Sequence, residues 1–213
     1  MAGRDGGTHM SQWNDIVWNV ARAGGLTAYV LVTLSVVLGL ALSMRWQGTR
    51  WPRFITNELH GFVTLLSLVF IAVHIAAVWL DPYLGLGWNE VLLPFTSHYR
   101  PIWTALGIVA LYFALAVWIT TQLRARIGHT WWRRFHLLAF GVFALSCVHG
   151  IMSGTDTSTP WAIGMYAGSL VLVGGLLQLR LLVPVGTRGR AHPNLATIAL
   201  LTTLGGVIWS VAR

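Results

Sequence analysis

Charged residues divide the chain into six long uncharged segments. The segments are mostly apolar and 21 to 23 residues long, and they cover 23–44, 59–80, 101–123, 135–155, 157–179 and 191–212. A helix needs about 20 residues to cross the ~30 Å hydrocarbon core of a bilayer. A soluble helical bundle would need a polar face on most of its helices, and these segments lack one. The pattern predicts six membrane-spanning helices, numbered spans 1 to 6 in chain order.

Composition supports the same class of protein. Of the 213 residues, 55% are hydrophobic and 9% are charged, whereas about a quarter of the residues of a soluble domain are charged. The single cysteine, Cys147, excludes a disulfide within the chain and a site with several thiolate ligands. The sequence therefore predicts an all-α, polytopic membrane protein built as a six-helix transmembrane bundle.

Arginine positions predict the orientation of the bundle. Ten of the fourteen basic residues fall in the 1–2, 3–4 and 5–6 connections: Arg45, Arg50, Arg53, Arg124, Arg126, Arg133, Arg134, Arg180, Arg188 and Arg190. The positive-inside rule places these connections in the cytoplasm and both termini outside. Residues 1–22 are then an extracytoplasmic tail, and 183–213 are a cytoplasmic loop followed by the sixth helix. All basic residues are Arg, a composition typical of high-GC bacteria, so we expect a bacterial cytoplasmic membrane and contact with its lipid. The net charge of +8 is spread over membrane loops, which argues against nucleic-acid binding.

Four histidines lie inside predicted spans. His60 and His74 are in span 2, and His136 and His149 are in span 4. An unpaired polar group costs several kcal/mol in hydrocarbon, so an ionisable residue within a span is a candidate functional residue. The other histidines, at 9, 98, 129 and 192, fall in tails, loops or helix ends, where solvated imidazoles are common.

The spacing of these four residues predicts two pairs. Spans 2 and 4 run in the same direction, so His60 and His136 share one depth and His74 and His149 share another, roughly 20 Å further along. Two imidazoles facing each other across a bundle are the axial ligands that a b-type haem needs. A zinc site would need three or four ligands at one level. We expect two haem b groups between spans 2 and 4, the first pair binding the cytoplasmic-side haem iron and the second the outer haem iron.

Nearby glycines and the helical twist of span 4 both bear on how the haems would fit. Gly61, Gly141 and Gly150 lie next to the histidines and would let a flat macrocycle approach, or would serve ordinary helix packing. In an ideal helix, thirteen residues leave His149 about 140° around from His136. Span 4 must therefore distort, supercoil, or present its histidines in different directions.

The histidine pattern resembles the ferric reductase-like transmembrane domain family, which includes NADPH oxidases, ferric reductases and the haem subunit of the bacterial methionine sulfoxide reductase system. The resemblance rests on H-x13-H in span 2, H-x12-H in span 4, and the stretches ARAGGLTAYVLVTLSVVLGL, DPYLGLGWNEVLLPFTSHYRP and VHGIMSGTDT. It covers residues 23–182 and implies electron transfer from a cytoplasmic or quinol donor to an extracytoplasmic acceptor.

The C-terminal segment departs from the flavin-containing members of that family. Residues 183–213 predict a loop and a helix where those enzymes continue into FAD- and NADPH-binding domains. We therefore expect an electron-transfer subunit of an oxidoreductase with no catalytic residue of its own. A separate quinol or flavoprotein donor and a separate acceptor or flavoprotein partner are implied, with a quinone as a further candidate cofactor.

Other interpretations stay open at this point. Arginines near the two predicted haem levels are candidate contacts for haem propionates: Arg53, Arg133 and Arg134 inside, and Arg22 and Arg100 outside. A haem-binding sensor or assembly module without turnover would use the same four histidines. A haem-free proton or metal transporter is the third hypothesis, although such proteins usually carry carboxylates inside their spans.

Overall fold

The computed structural model describes residues 5–44 and 52–182, most of which are helical and none of which is in a strand. Seven helices lie in these ranges: α1 (Asp5–Ser43), α2 (Arg53–Leu80), α3 (Trp88–Leu92), α4 (Pro101–Gln122), α5 (Arg124–His136), α6 (Leu138–Ser153) and α7 (Pro160–Leu182). Pro101 occupies the first turn of α4, where its missing N–H has no helical partner to lose.

Five apolar segments of the described residues are long enough to cross a bilayer. They are Gln12–Ser43, Arg53–Leu80, Pro101–Gln122, Arg124–Ser153 and Pro160–Leu182. Predicted spans 1 to 5 are thereby confirmed as long apolar helices of a multi-pass membrane protein. The predicted sixth helix (191–212), together with Arg188 and Arg190, lies outside the described residues.

The first helix is longer than its predicted span. Its 39 residues correspond to about 58 Å at 1.5 Å per residue, well beyond the ~30 Å hydrocarbon core. Residues 5–22, expected only as a tail, continue the helix. The charged residues Asp15 and Arg22 lie within this helix and do not end it.

Span 4 is interrupted directly after His136. Leu137 separates α5 from α6, and the N–H of Leu137 bonds to the carbonyl of Arg134 at 3.2 Å. The N–H of Phe140 likewise bonds to the carbonyl of Leu137 at 3.1 Å. Bonds to the third preceding residue belong to the tighter 3₁₀ helix, which adds about 20° per residue, or about 60° over three residues. Span 4 is thus interrupted between His136 and His149, and a local 3₁₀ turn there changes their angular offset in the direction opposite to the 140°.

The described residues form two compact units. One comprises 5–30 and 66–154, and the other comprises 31–44, 52–65 and 155–182. In the first unit α4 packs against α6, and the ring of Phe113 lies 2.8 Å from where a β-carbon at Gly141 would stand. In the second unit the hydroxyls of Ser35 and Thr64 form a 2.7 Å hydrogen bond between α1 and α2.

The connection between α2 and α4 is a folded structure around the Glu90 carboxylate. That carboxylate accepts hydrogen bonds from the N–H of Gly87 at 3.0 Å, from the N–H of His98 at 2.9 Å and from the His98 ring at 2.5 Å. These bonds lower the pKa of Glu90 to about 2, with the backbone bond from Gly87 contributing most. Leu84, Leu86 and Val91 of the same connection form a buried cluster against the C-terminal end of α2.

Candidate functional site

His74 of α2 and His149 of α6 lie side by side in the first unit. Their ring centroids are 6.3 Å apart and their planes are inclined by 76°. Both residues are half-buried. The structure thus brings together the two residues of the predicted outer pair, while their role as ligands stays a prediction.

Each of the two rings is anchored through Nδ1 to the backbone of another helix. Nδ1 of His74 lies 2.7 Å from the carbonyl oxygen of Ala21 in α1, and Nδ1 of His149 lies 2.8 Å from that of Trp103 in α4. A carbonyl oxygen can only accept, so both Nδ1 atoms must carry the proton and donate. In a neutral imidazole the lone pair is then on Nε2, the atom that a metal ion would bind.

The separation of the rings agrees with ligation of one metal ion between them. Metal–imidazole bonds in protein zinc sites are about 2.0–2.1 Å long, and the nitrogen is roughly 1.15 Å from its ring centre. Two rings bound end-on at opposite sides of one ion, as axial ligands are, therefore have centroids about 6.3–6.5 Å apart. The observed 6.3 Å lies in this range. Rotation about a metal–nitrogen bond leaves this distance unchanged, so the 76° inclination is compatible with it.

An edge-on contact between two aromatic rings can have a similar centroid separation. An imidazole makes its strongest edge contact through an N–H group. Here both Nδ1–H groups already donate to carbonyl oxygens, and no hydrogen bond of the described residues involves Nε2 of either ring. The anchors therefore leave the Nε2 atom of each ring without a hydrogen bond among the described residues.

His60 lies in the second unit and is anchored in the same manner. Its Nδ1 lies 3.0 Å from the carbonyl oxygen of Ser35 and 3.4 Å from the Ser35 hydroxyl. The same hydroxyl also bonds Thr64, one turn along α2 from His60. The carbonyl again requires the proton on Nδ1.

His136 lies in the first unit, at the end of α5. The ring of His136 packs against the ring of Trp132, with centroids 4.9 Å apart. The guanidinium of Arg124 also lies over the Trp132 ring, 4.3 Å from its centroid. His60 and His136 belong to different units, so their pairing at one haem stays a prediction.

The five predicted propionate contacts have exposed side chains, and their role stays a prediction. Arg100 donates to the carbonyl of Met152, three residues after His149, and so connects the start of α4 to the end of α6. The guanidinium of Arg134 lies 4.9 Å from the Trp131 ring. Arg22 is adjacent in sequence to the Ala21 anchor, while Arg53 begins α2 and Arg133 is on α5.

Sequence reasoning missed the groups that orient the imidazoles. It singled out Gly61, yet a β-carbon there would meet no atom within 4 Å, and it singled out Gly141, which contacts Phe113. The anchors are instead main-chain carbonyls of α1 and α4. Backbone acceptors have no signature in side-chain chemistry. The small residues at 24–25 and 107, opposite the histidines, were the available signal.

The donor set also limits which metal centre fits. The described residues contain no group of three or more His, Cys, Asp or Glu side chains that could hold one ion. A tetrahedral zinc site needs such a group, whereas a haem supplies four of its own nitrogens and asks the protein for axial ligands only. Two imidazoles in apolar surroundings fit the second requirement.

No protein-family profile matches this chain, and no solved structure matches it.

Proposed function

We propose that this chain is a transmembrane electron-transfer protein that binds two haem b groups. His74 and His149 are the axial ligands of the outer haem, and His60 and His136 are those of the haem at the opposite end of the spans. The observation that carries the proposal is the 6.3 Å separation of two imidazoles whose Nδ1 protons are both fixed by backbone carbonyls.

The protein contributes position and surroundings. A bound haem supplies a one-electron carrier whose potential responds to its ligands and surroundings. Hydrogen bonds from Nδ1 to carbonyls hold each ring in place and increase the basicity of Nε2. Because the rings arise from α2 and α6 while their anchors belong to α1 and α4, four helices fix the ligand geometry at one level.

The proposed electron path runs from the cytoplasmic side to the outside. The arginine distribution supports this orientation and a bacterial cytoplasmic membrane, and the histidine spacing resembles that of the ferric reductase-like family. The donor, a quinol or a flavoprotein, and the extracytoplasmic acceptor are separate molecules. The protein then acts as the membrane subunit of a reductase.

Haem binding is tested by the absorbance spectrum of protein purified from a haem-replete host. We expect sharp α and Soret bands of low-spin haem b in the reduced form and about two haems per chain. The matched control variants are His98→Ala and His129→Ala, which remove histidines outside the proposed pairs. Wild-type protein without haem would overturn the proposal.

Electron transfer is tested in sealed liposomes. Ascorbate is trapped inside, and ferricyanide, which does not cross the bilayer, is added outside. Wild-type protein should reduce the external ferricyanide, and His74→Ala should reduce it at the rate of empty vesicles. A haem-loaded wild-type protein that transfers no electrons would instead support a haem-binding sensor or assembly module.

A further inference from the structure

Three anchored imidazoles share one arrangement on the helix that they face. In each case the accepting carbonyl is followed, four residues later, by a glycine that lies against the same ring. The pairs are Ala21 with Gly25 at His74, Trp103 with Gly107 at His149, and Ser35 with Gly39 at His60. In an α-helix the carbonyl of one residue bonds to the N–H of the fourth residue after it, so each glycine adjoins the oxygen that the histidine uses.

At the outer pair this glycine is a steric requirement. A β-carbon at Gly25 would stand 2.9 Å from Nδ1 and 3.0 Å from Cε1 of His74. At Gly107 it would stand 2.8 Å from both corresponding atoms of His149. Carbon atoms at these distances clash, and a ring that moved away would lose its short bond to the carbonyl.

We propose that Gly25 and Gly107 are positioning residues that fix the tautomer and direction of the two outer imidazoles. By leaving the carbonyl open from the side, each glycine lets Nδ1–H donate to it and directs Nε2 away from the anchoring helix. The metal-binding consequence rests on the function proposed above, whereas the tautomer itself does not.

The chain offers graded controls for this idea. A β-carbon at Gly39 would stand 3.5 Å from Cε1 of His60, an ordinary van der Waals distance, and at Gly168 it would meet no atom within 4 Å. Glycine to alanine also raises helix propensity by about 1 kcal/mol in a helix interior. If the imidazoles lose their fixed orientation in Gly25→Ala or Gly107→Ala, a weaker helix is therefore not the cause.

The tautomer is tested on haem-free protein, so that the result is independent of cofactor binding. Protein with ¹⁵N-labelled histidine, produced under haem limitation, is studied by NMR, and His149 is assigned from its loss in His149→Ala. In wild type its Nδ1 should carry the proton; in Gly107→Ala the ring should exchange between tautomers, while Gly168→Ala should match wild type. A fixed Nδ1–H signal for His149 in Gly107→Ala would overturn the proposal.

The consequence for the cofactor is tested with loaded protein. Loss of groups that orient a metal-ligating histidine typically lowers metal affinity 10- to 100-fold. We expect Gly25→Ala and Gly107→Ala each to lower outer-haem affinity by roughly this factor and to alter the electron paramagnetic resonance signal of the ferric haem that remains. Gly39→Ala and Gly168→Ala should leave both unchanged.

Two results keep the proposals distinguishable. Wild-type protein that binds no haem but shows the Nδ1–H tautomer would reject the proposed function and retain the role of the glycines. If His149→Ala loses the outer haem, Gly25→Ala and Gly107→Ala proteins with wild-type haem content and spectrum would reject the role of the glycines alone. Circular dichroism and a monodisperse elution profile in detergent establish that each variant is folded.

Discussion

The replacement of His149 by alanine tests the outer site most directly. It removes one of two rings whose centroids are 6.3 Å apart and leaves His74 with its anchor at Ala21 intact. Loss of an orienting group around a metal costs 10- to 100-fold in affinity, so loss of a ligand should cost at least about 100-fold, or about 2.7 kcal/mol. The haem content should fall from about two per chain to about one, with the remaining haem still low-spin.

Addition of imidazole makes this experiment specific for ligation. The carbonyl of Trp103 and the open face at Gly107 remain in His149→Ala, so a free imidazole can donate to the same oxygen that His149 used. We expect millimolar imidazole, supplied together with haem, to restore the second low-spin haem. Haem content and the Soret position during a titration measure the effect.

Either of two outcomes would refute the reasoning. A His149→Ala protein that retains two low-spin haems without imidazole would show that His149 is not a ligand. A His98→Ala protein that loses haem to the same extent would show that the loss reports general damage, because His98 contacts Glu90 and Leu84 in the connection between α2 and α4.

Three further predictions concern the surroundings of the site. The folded pKa of Glu90 is lowered from 4.5 to about 2, so its bonds stabilise the connection between α2 and α4 above about pH 4.5, and this stability is lost as the pH falls towards 2. Tryptophan fluorescence should report this transition, and Glu90→Gln should abolish its pH dependence. Gly141→Ala places a β-carbon 2.8 Å from the Phe113 ring and should lower the free energy of unfolding by about 1–2 kcal/mol net of the gain in helix propensity, as measured by thermal unfolding in detergent; an unchanged melting temperature would contradict the close packing. Arg100→Gln removes a hydrogen bond to the end of α6 and should cost about 1 kcal/mol in the same assay, because the side chain is exposed.

The helices could be predicted from the sequence because charged residues mark their limits. Span 3 was predicted at 101–123 and α4 is Pro101–Gln122, while span 5 was predicted at 157–179 and α7 is Pro160–Leu182. In a membrane the cost of burying charge exceeds most local propensities, so this signal is strong. The extension of α1 to Asp5 escaped the same reasoning because a helix continues past the membrane surface at little cost.

The candidate site was only partly predictable. Counting residues along two spans of equal direction was enough to expect His74 beside His149. The interruption at Leu137 has no signature, because leucine is a good helix former and carries no polar group. The carbonyl anchors were equally hidden, since every residue has the same backbone acceptor and only packing decides which one an imidazole reaches.

The pattern of the anchors has a consequence for the order of folding. His74 of span 2 is hydrogen-bonded to α1, which is span 1, and His149 of span 4 is hydrogen-bonded to α4, which is span 3. Each histidine is thus bonded to the span that directly precedes its own. Each imidazole can therefore be set in orientation within a local pair of successive helices as these enter the bilayer. Each helix pair, α1 with α2 and α4 with α6, would then carry one oriented ligand before haem binds. Association of the two pairs, rather than rearrangement of the ligands, would complete the proposed outer site.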